Sequence, residues 1–130
     1  MKKTSSTFVV QIAGAEHLKF AEDLCKLYED SAKKRGTGIA KRDPEYIKEK
    51  ILQEKGIIAI TADNHIAGFC YIETWEGKNY VANSGLIVKE EFRHHGLAKK
   101  IKKFVFEHTR KKFPQAKIFG ITTSLAVMKL

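Results

Sequence analysis

Apolar positions recur along this chain at two periods, and the switch between them marks out the elements. Phe8 to Ala13 is an apolar, β-branched run interrupted only by Gln11, and it predicts a first strand. From Glu16 to about Lys34 the spacing changes: Leu18, Ala21, Leu24, Cys25, Leu27 and Tyr28 fall on one helical stripe. Gly36 and Gly38 break that helix within a basic stretch, "KKRGTGIAKRD". Asp43-Pro44 then reads as a helix start, Asp as the cap and Pro in the first turn, with Ile47, Ile51 and Leu52 inward and an end near Gly56. Ile57–Thr61 and Ile66–Trp75 form a predicted hairpin turning over Asp63-Asn64, and "EGKN" turns the chain again into a strand over Tyr80–Val88. A helix opens near Leu97, with Leu97, Ile101, Phe104, Val105 and His108 on one face and lysines on the other, and "KKFP" stops it. Lys117–Thr122 is a further strand, and "SLAVMKL" starts a last helix or trails off.

The order β-α-α-β-β-β-α-β, with an optional final α, predicts an α/β (α+β) fold: a mixed, mostly antiparallel sheet flanked by helices. At 130 residues, with no repeat or linker, residues 1–130 read as one domain. A net charge of +9 and a pI near 9.6 favour polyanions, whether nucleic acid, an anionic membrane surface or a phosphate-bearing cofactor. Charge alone does not choose, and a solvated basic surface fits as well. The two cysteines, Cys25 and Cys70, have no metal-site spacing and read as reduced, buried thiols. "MKKTSSTFVVQIAGAEH" superficially resembles a secretion signal, but Gln11 interrupts an already short apolar run. A first strand and a cytoplasmic protein are expected, and no segment approaches the length of a membrane span.

One stretch does not fit a plain surface helix. In "EEFRHHGLAKKIKK" the helix starts without a usual capping side chain and puts Lys99, Lys100, Lys102 and Lys103 in its first turns. Cations there oppose the helix dipole, by about 0.3–1 kcal/mol each. Just upstream, the strand "YVANSGLIV" carries Gly85 in its interior, as at a bulge or a close backbone approach. Strand, short loop, Gly96 and helix together could cradle a phosphate on free amides, which would offset the lysine penalty. A solvated face that tolerates the cost explains the same residues.

"RHHGLA", Arg93 to Ala98, resembles the R/Q-x-x-G-x-G/A motif of the GNAT superfamily of acetyl-CoA-dependent N-acetyltransferases. "LIVKEEF" resembles that family's strand before its pyrophosphate loop, and "ADNHIAGFCYIE" its second and third strands. Element order agrees from Phe8 to Thr123. The resemblance implies an acyl-CoA N-acyltransferase-like fold, acetyl-CoA as cosubstrate, no metal, and a small-molecule amine or amino acid as acceptor. It implies that Arg93, His94, His95, Gly96, Leu97 and Ala98 hold the pyrophosphate, with Lys99 near the adenosine phosphates. The backbone of Leu86, Ile87 and Val88 would pair with the pantetheine arm, and a bulge near Gly85 would splay this strand from Lys117–Thr122 to admit the thioester.

Within that frame Glu73 is the candidate general base, directly or through water, against a plain reading as a strand-end carboxylate. The family often places an acid on the next strand; here stand Asn83 and Ser84, which would hold water or substrate. Arg35, Lys41 and Arg42, between the first two helices, would suit an acidic acceptor such as glutamate, as in the acetylglutamate-synthase branch; a solvated loop is the alternative. His94 and His95 read as loop side chains, and neither His65 nor His108 has a partner that spacing identifies. The family fold continues with a further helix, two strands and often a tyrosine acid, whereas this sequence stops at Leu130. That difference implies a homodimer whose partner completes the fold, a truncated chain, or a degenerate coenzyme A-binding fold without turnover. A non-catalytic basic module for nucleic acid or an acidic protein is the reading from another class. The lack of interleaved aromatic and basic residues counts against nucleic acid.

Overall fold

The computed structural model describes residues 8–36, 43–75, 79–93 and 96–120, without the side chains of Arg35, Trp75 and Phe119. The elements are β1 (Phe8–Ile12), α1 (Ala21–Arg35), α2 (Pro44–Leu52), β2 (Gly56–Thr61), β3 (Ile66–Trp75), β4 (Tyr80–Val88), α3 (Leu97–Lys112) and β5 (Lys117–Gly120). They form a five-stranded sheet ordered β1-β2-β3-β4-β5. The first three pairings are antiparallel, and β4 pairs with β5 in parallel across α3. The mixed, mostly antiparallel α/β fold expected from the pattern is therefore present. The last two residues predicted for the final strand, 121 and 122, and the "SLAVMKL" segment lie outside the described residues.

Strand alternation sends side chains to two cores, one on each face of the sheet. On one face Ile57, Ala59, Cys70, Ile72, Val81 and Val88 meet Leu97, Ile101 and Val105 of α3. On the other Ile58, Phe69, Tyr71 and Ile87 meet Leu24 and Tyr28 of α1 and Ile47 and Ile51 of α2.

The first helix departs from its prediction. Ala15–Phe20 is 3-10, and α-helix begins only at Ala21. Gly14 offers no capping oxygen, so its own amide donates to His17 Nδ1 (2.9 Å), and the buried imidazole closes the tight turn. At α2 the Asp43 carboxylate accepts from the Glu45 amide (3.0 Å), with Pro44 in the first turn, as expected. The inward face is corrected, however. Leu52 is 63% exposed, whereas Lys50 is only 6% exposed. Residues 47, 50 and 51 share one helical face, and residue 52 is turned about 100° further round. The helix also ends earlier than predicted, because Glu54 takes a left-handed conformation (φ 60°) and turns the chain into β2.

Candidate active site

One inserted residue sets which backbone groups of β4 face the β5 side. Lys117 donates its amide to Asn79 O (3.0 Å), so before the bulge the odd-numbered backbone groups of this strand face β5. Beyond it the Lys89 amide donates to Ala67 O (2.8 Å), so residues 87 and 89 face β3. The register slips between the pairs Tyr71↔Ser84 and Phe69↔Ile87, leaving Gly85 and Leu86 opposite Cys70 alone. The bulge thus reverses the parity, and the backbone groups of Leu86 and Val88 turn to the β5 side. Among the described residues β5 pairs as far as Asn83↔Gly120, and no described residue pairs with β4 on this side from the bulge onward. Of the three predicted backbone contacts, Leu86 and Val88 face the β5 side. Ile87 spends its backbone on Phe69.

Gly85 has φ 67°, a conformation costly to any residue with a Cβ. A Cβ there would also overlap the Tyr71 ring and come within 3.0 Å of Tyr28 Oη. The Gly85 carbonyl accepts a hydrogen bond from the buried Tyr28 hydroxyl, 57 residues upstream. Sequence reasoning placed Tyr28 in the core stripe and missed its polar end; a tyrosine on an otherwise aliphatic stripe is the only trace of that role.

After β4 the chain makes a short 3-10 turn over Glu90–Phe92, anchored by the buried Phe92. Arg93 folds back and donates from Nε to Val88 O (3.1 Å), tying the start of the loop to the end of the strand. An exposed ion pair joins Lys34, near the end of α1, to Glu90; the hydrogen bond from Lys34 holds the Glu90 carboxyl below its ordinary range. Gly96 caps α3 in a left-handed conformation (φ 73°), with no side-chain hydrogen bond and no acidic residue in the first turn. A Cβ on Gly96 would meet nothing within 4 Å, so the space beside this backbone is open. The Lys100 amide donates to Gly96 O (3.2 Å), while the earlier amides, Leu97 to Lys99, precede the first intrahelical bond. The Leu97 side chain is core, so only its backbone is available to a ligand. Ala98, Lys99, Lys100, Lys102 and Lys103 are exposed. His94, His95 and Arg42 lie outside the described residues, and Arg35 is described only as the last residue of α1.

The structure separates the predicted catalytic candidates. Glu73 pairs with Ala82, and Ser84 with Tyr71, so both side chains face α1 and α2. Glu73 Oε1 accepts from Lys50 Nζ (3.0 Å) and Oε2 accepts from the Tyr46 hydroxyl. Lys50 also donates to Ile72 O (2.8 Å) and sits 5.2 Å from the Tyr46 ring centre and 5.9 Å from that of Tyr71. Glu73 is therefore no bare strand-end carboxylate but the outer member of a polar cluster between α2 and β3. Each of its oxygens keeps a second lone pair for water or an amine. Asn83, one residue before Ser84, faces α3, where its amide donates to Thr109 Oγ1 (2.9 Å) and Thr109 donates to Val105 O (2.6 Å). Asn83 is thus not brought together with Glu73 and Ser84, a consequence of strand alternation that adjacent numbers conceal.

The remaining candidates have structural partners. His108 Nε2 lies 2.8 Å from Glu54 O, and Cys70 donates to Ser84 O (3.3 Å). Both cysteines are reduced thiols, but only Cys70 is buried as expected and Cys25 is half-buried; burial pushes the Cys70 pKa up to about 12. Among the described residues no cluster of His, Cys, Asp and Glu could hold a metal ion, and no helix is long and apolar enough to cross a membrane.

A bulged strand running into a glycine-started helix without a side-chain cap is the arrangement the GNAT resemblance implied. A sequence model of the acetyltransferase (GNAT) family matches residues 21–126, and the chain belongs to that family. Acetyl transfer is the general activity this membership supports. No curated protein matches the sequence. Among solved structures, an acetyltransferase of the GNAT family from Staphylococcus aureus Mu50 is similar with a TM-score of 0.72 at 17% identity, over 95% of this chain and 79% of that one. Mosquito arylalkylamine N-acetyltransferase like 5b gives 0.74 at 15% identity, over 95% and 80%. N-acetylglutamate synthase from Neisseria gonorrhoeae, solved with coenzyme A and N-acetyl-glutamate, gives 0.71 at 14% identity, over 95% of this chain and 27% of that one. At these identities the likeness is one of fold.

Proposed function

We propose that this chain transfers the acetyl group of acetyl-CoA to the amine of a small molecule or amino acid. The observation that carries the reading is the continuity of the bulged β4, whose Leu86 and Val88 turn to the β5 side, with the start of α3 that has no side-chain cap. Gly96 leaves free space beside the backbone, and four exposed lysines follow. Such a helix start is unfavourable when empty and favourable against phosphate. The amides at Arg93 to Lys99 would take the pyrophosphate, and the outward groups of Leu86 and Val88 would take the pantetheine arm as an added strand does.

The thioester would then lie at the Gly85 bulge, next to the face that carries Glu73 and Ser84. The acceptor nitrogen attacks the acetyl carbon, charge gathers on the carbonyl oxygen, and the C–S bond breaks to release the coenzyme A thiolate. The nitrogen must first lose a proton from its ammonium form. Glu73 would accept it through water and orient the amine, with its carboxylate held by Lys50 and Tyr46. A backbone N–H at the bulge stabilises the developing oxyanion. Arg35 and Arg42 would favour an acidic acceptor, glutamate-like, over a cationic one.

Thiol release from acetyl-CoA, read across a panel of amines and amino acids, tests the reading. Turnover with one acceptor class is expected. A chain that binds coenzyme A but releases no thiol with any acceptor is the degenerate fold, and the proposed activity then fails.

A further inference from the structure

The Tyr28–Gly85 contact has a consequence for the proposed reaction, on which the following inference rests. A strand carbonyl ordinarily points within the sheet toward a neighbouring strand. The Gly85 carbonyl is instead held by a hydroxyl that reaches down from α1, on the face of the sheet. The peptide that follows is planar and trans, so its N–H, that of Leu86, points opposite to the captured carbonyl. By the register, Leu86 also lies at the bulge, where the thioester would sit in the proposed reaction. The side chain that fixes the carbonyl therefore fixes the direction of an N–H at that point of the strand. Tyr71 closes the remaining freedom, because its ring lies where a Cβ on residue 85 would be.

We propose that Tyr28 is a positioning residue for acetyl transfer, orienting the Gly85–Leu86 peptide so that the Leu86 N–H meets the thioester carbonyl. Tyr28 touches neither substrate nor reacting atom. It acts through one peptide plane, from a helix otherwise devoted to the core. With the hydroxyl gone the peptide is free to rotate, and the donor loses its fixed aim. Coenzyme A itself, which has no acetyl carbonyl, loses no contact.

Tyr28→Phe keeps the ring and removes only the donor. Its kcat is expected to fall about 10- to 100-fold, the range for misplacing rather than deleting an oxyanion donor. Coenzyme A affinity should stay within about threefold of the parent chain, a loss of under ~0.7 kcal/mol. Amide spectra of the two proteins, without ligand, should differ at Leu86 and at the Gly85 carbonyl while α3 resonances stay in place. A fluorotyrosine installed at position 28, isosteric but a stronger donor, should keep both resonances near their parent positions. An unchanged Gly85–Leu86 signature in Tyr28→Phe overturns the proposal, as does an unchanged kcat. These differ from failure of the functional reading itself, in which the parent chain neither binds coenzyme A nor turns over, whatever Tyr28 does to the peptide.

Discussion

Removing Glu73 should destabilise the protein more than removing Lys50, although the two form one pair. Lys50 Nζ lies 3.0 Å from Glu73 Oε1, and its side chain is 8% exposed against 27% for that of Glu73. At an effective dielectric near 20 this separation corresponds to roughly 5 kcal/mol of attraction, before the cost of taking the ammonium out of water. Glu73→Gln removes the negative charge and leaves the buried ammonium with Ile72 O, two tyrosine rings and a neutral amide oxygen as its stabilising neighbours. The expected loss is about 2–4 kcal/mol. Lys50→Met leaves a carboxylate that can turn to water and keeps the apolar stem, so about 1–2 kcal/mol is expected. The double variant should lie close to Lys50→Met alone, giving a coupling of about 2–4 kcal/mol. Urea denaturation of the four proteins measures it. With a slope of about 2 kcal/mol per molar, Glu73→Gln should move the midpoint by about 1–2 M. Additive losses, within about 0.5 kcal/mol, would show that the pair contributes nothing and that the cluster around Glu73 has been misread.

Other substitutions separate structure from chemistry. Asn83→Ala should cost about 1 kcal/mol through its lost hydrogen bond to Thr109 and leave kcat/KM within about twofold, because Asn83 faces α3; a large fall in kcat would return it to the active site. Gly96→Ala forces a Cβ into φ 73° without a clash, so stability should drop by about 1–2 kcal/mol. Coenzyme A affinity should also drop, about tenfold, and calorimetry that finds it unchanged would move the phosphates elsewhere. The Cys70 thiol keeps its proton to about pH 12, whereas an unfolded chain gives it up from about pH 9. The unfolded state then binds fewer protons, so stability declines as pH rises through that window, by at most ~1.4 kcal/mol per unit. Cys70→Ala should remove that part of the slope, and identical pH profiles for the two proteins would refute it.

Much of this architecture could be read from periodicity because the two faces of the sheet bury different residue sets. β4 and the start of α3 fall where the pattern put them, and Asp43 caps α2 through the predicted contact. What stayed hidden depends on pairing rather than on local sequence. Gly85 announced a bulge, but only the register shows that it turns Leu86 and Val88 outward and leaves Ile87 on the ladder. Adjacent Asn83 and Ser84 looked like one polar pair and lie on opposite faces. The helical pattern of α2 carries no sign that Lys50 is buried, because that burial depends on a carboxylate 23 residues away on β3. Tyr28 was read as core, and its hydroxyl contact spans 57 residues.

The central claim is that the bulged β4 and the start of α3, which has no side-chain cap, together form a coenzyme A grip. Calorimetric titration of the parent chain with acetyl-CoA tests it most directly. Saturable one-to-one binding is predicted, with a dissociation constant in the ~1 µM to 1 mM range typical of enzyme substrates and an affinity that weakens as salt is raised. Absence of any heat at millimolar acetyl-CoA, from a chain shown to be folded, would contradict the account.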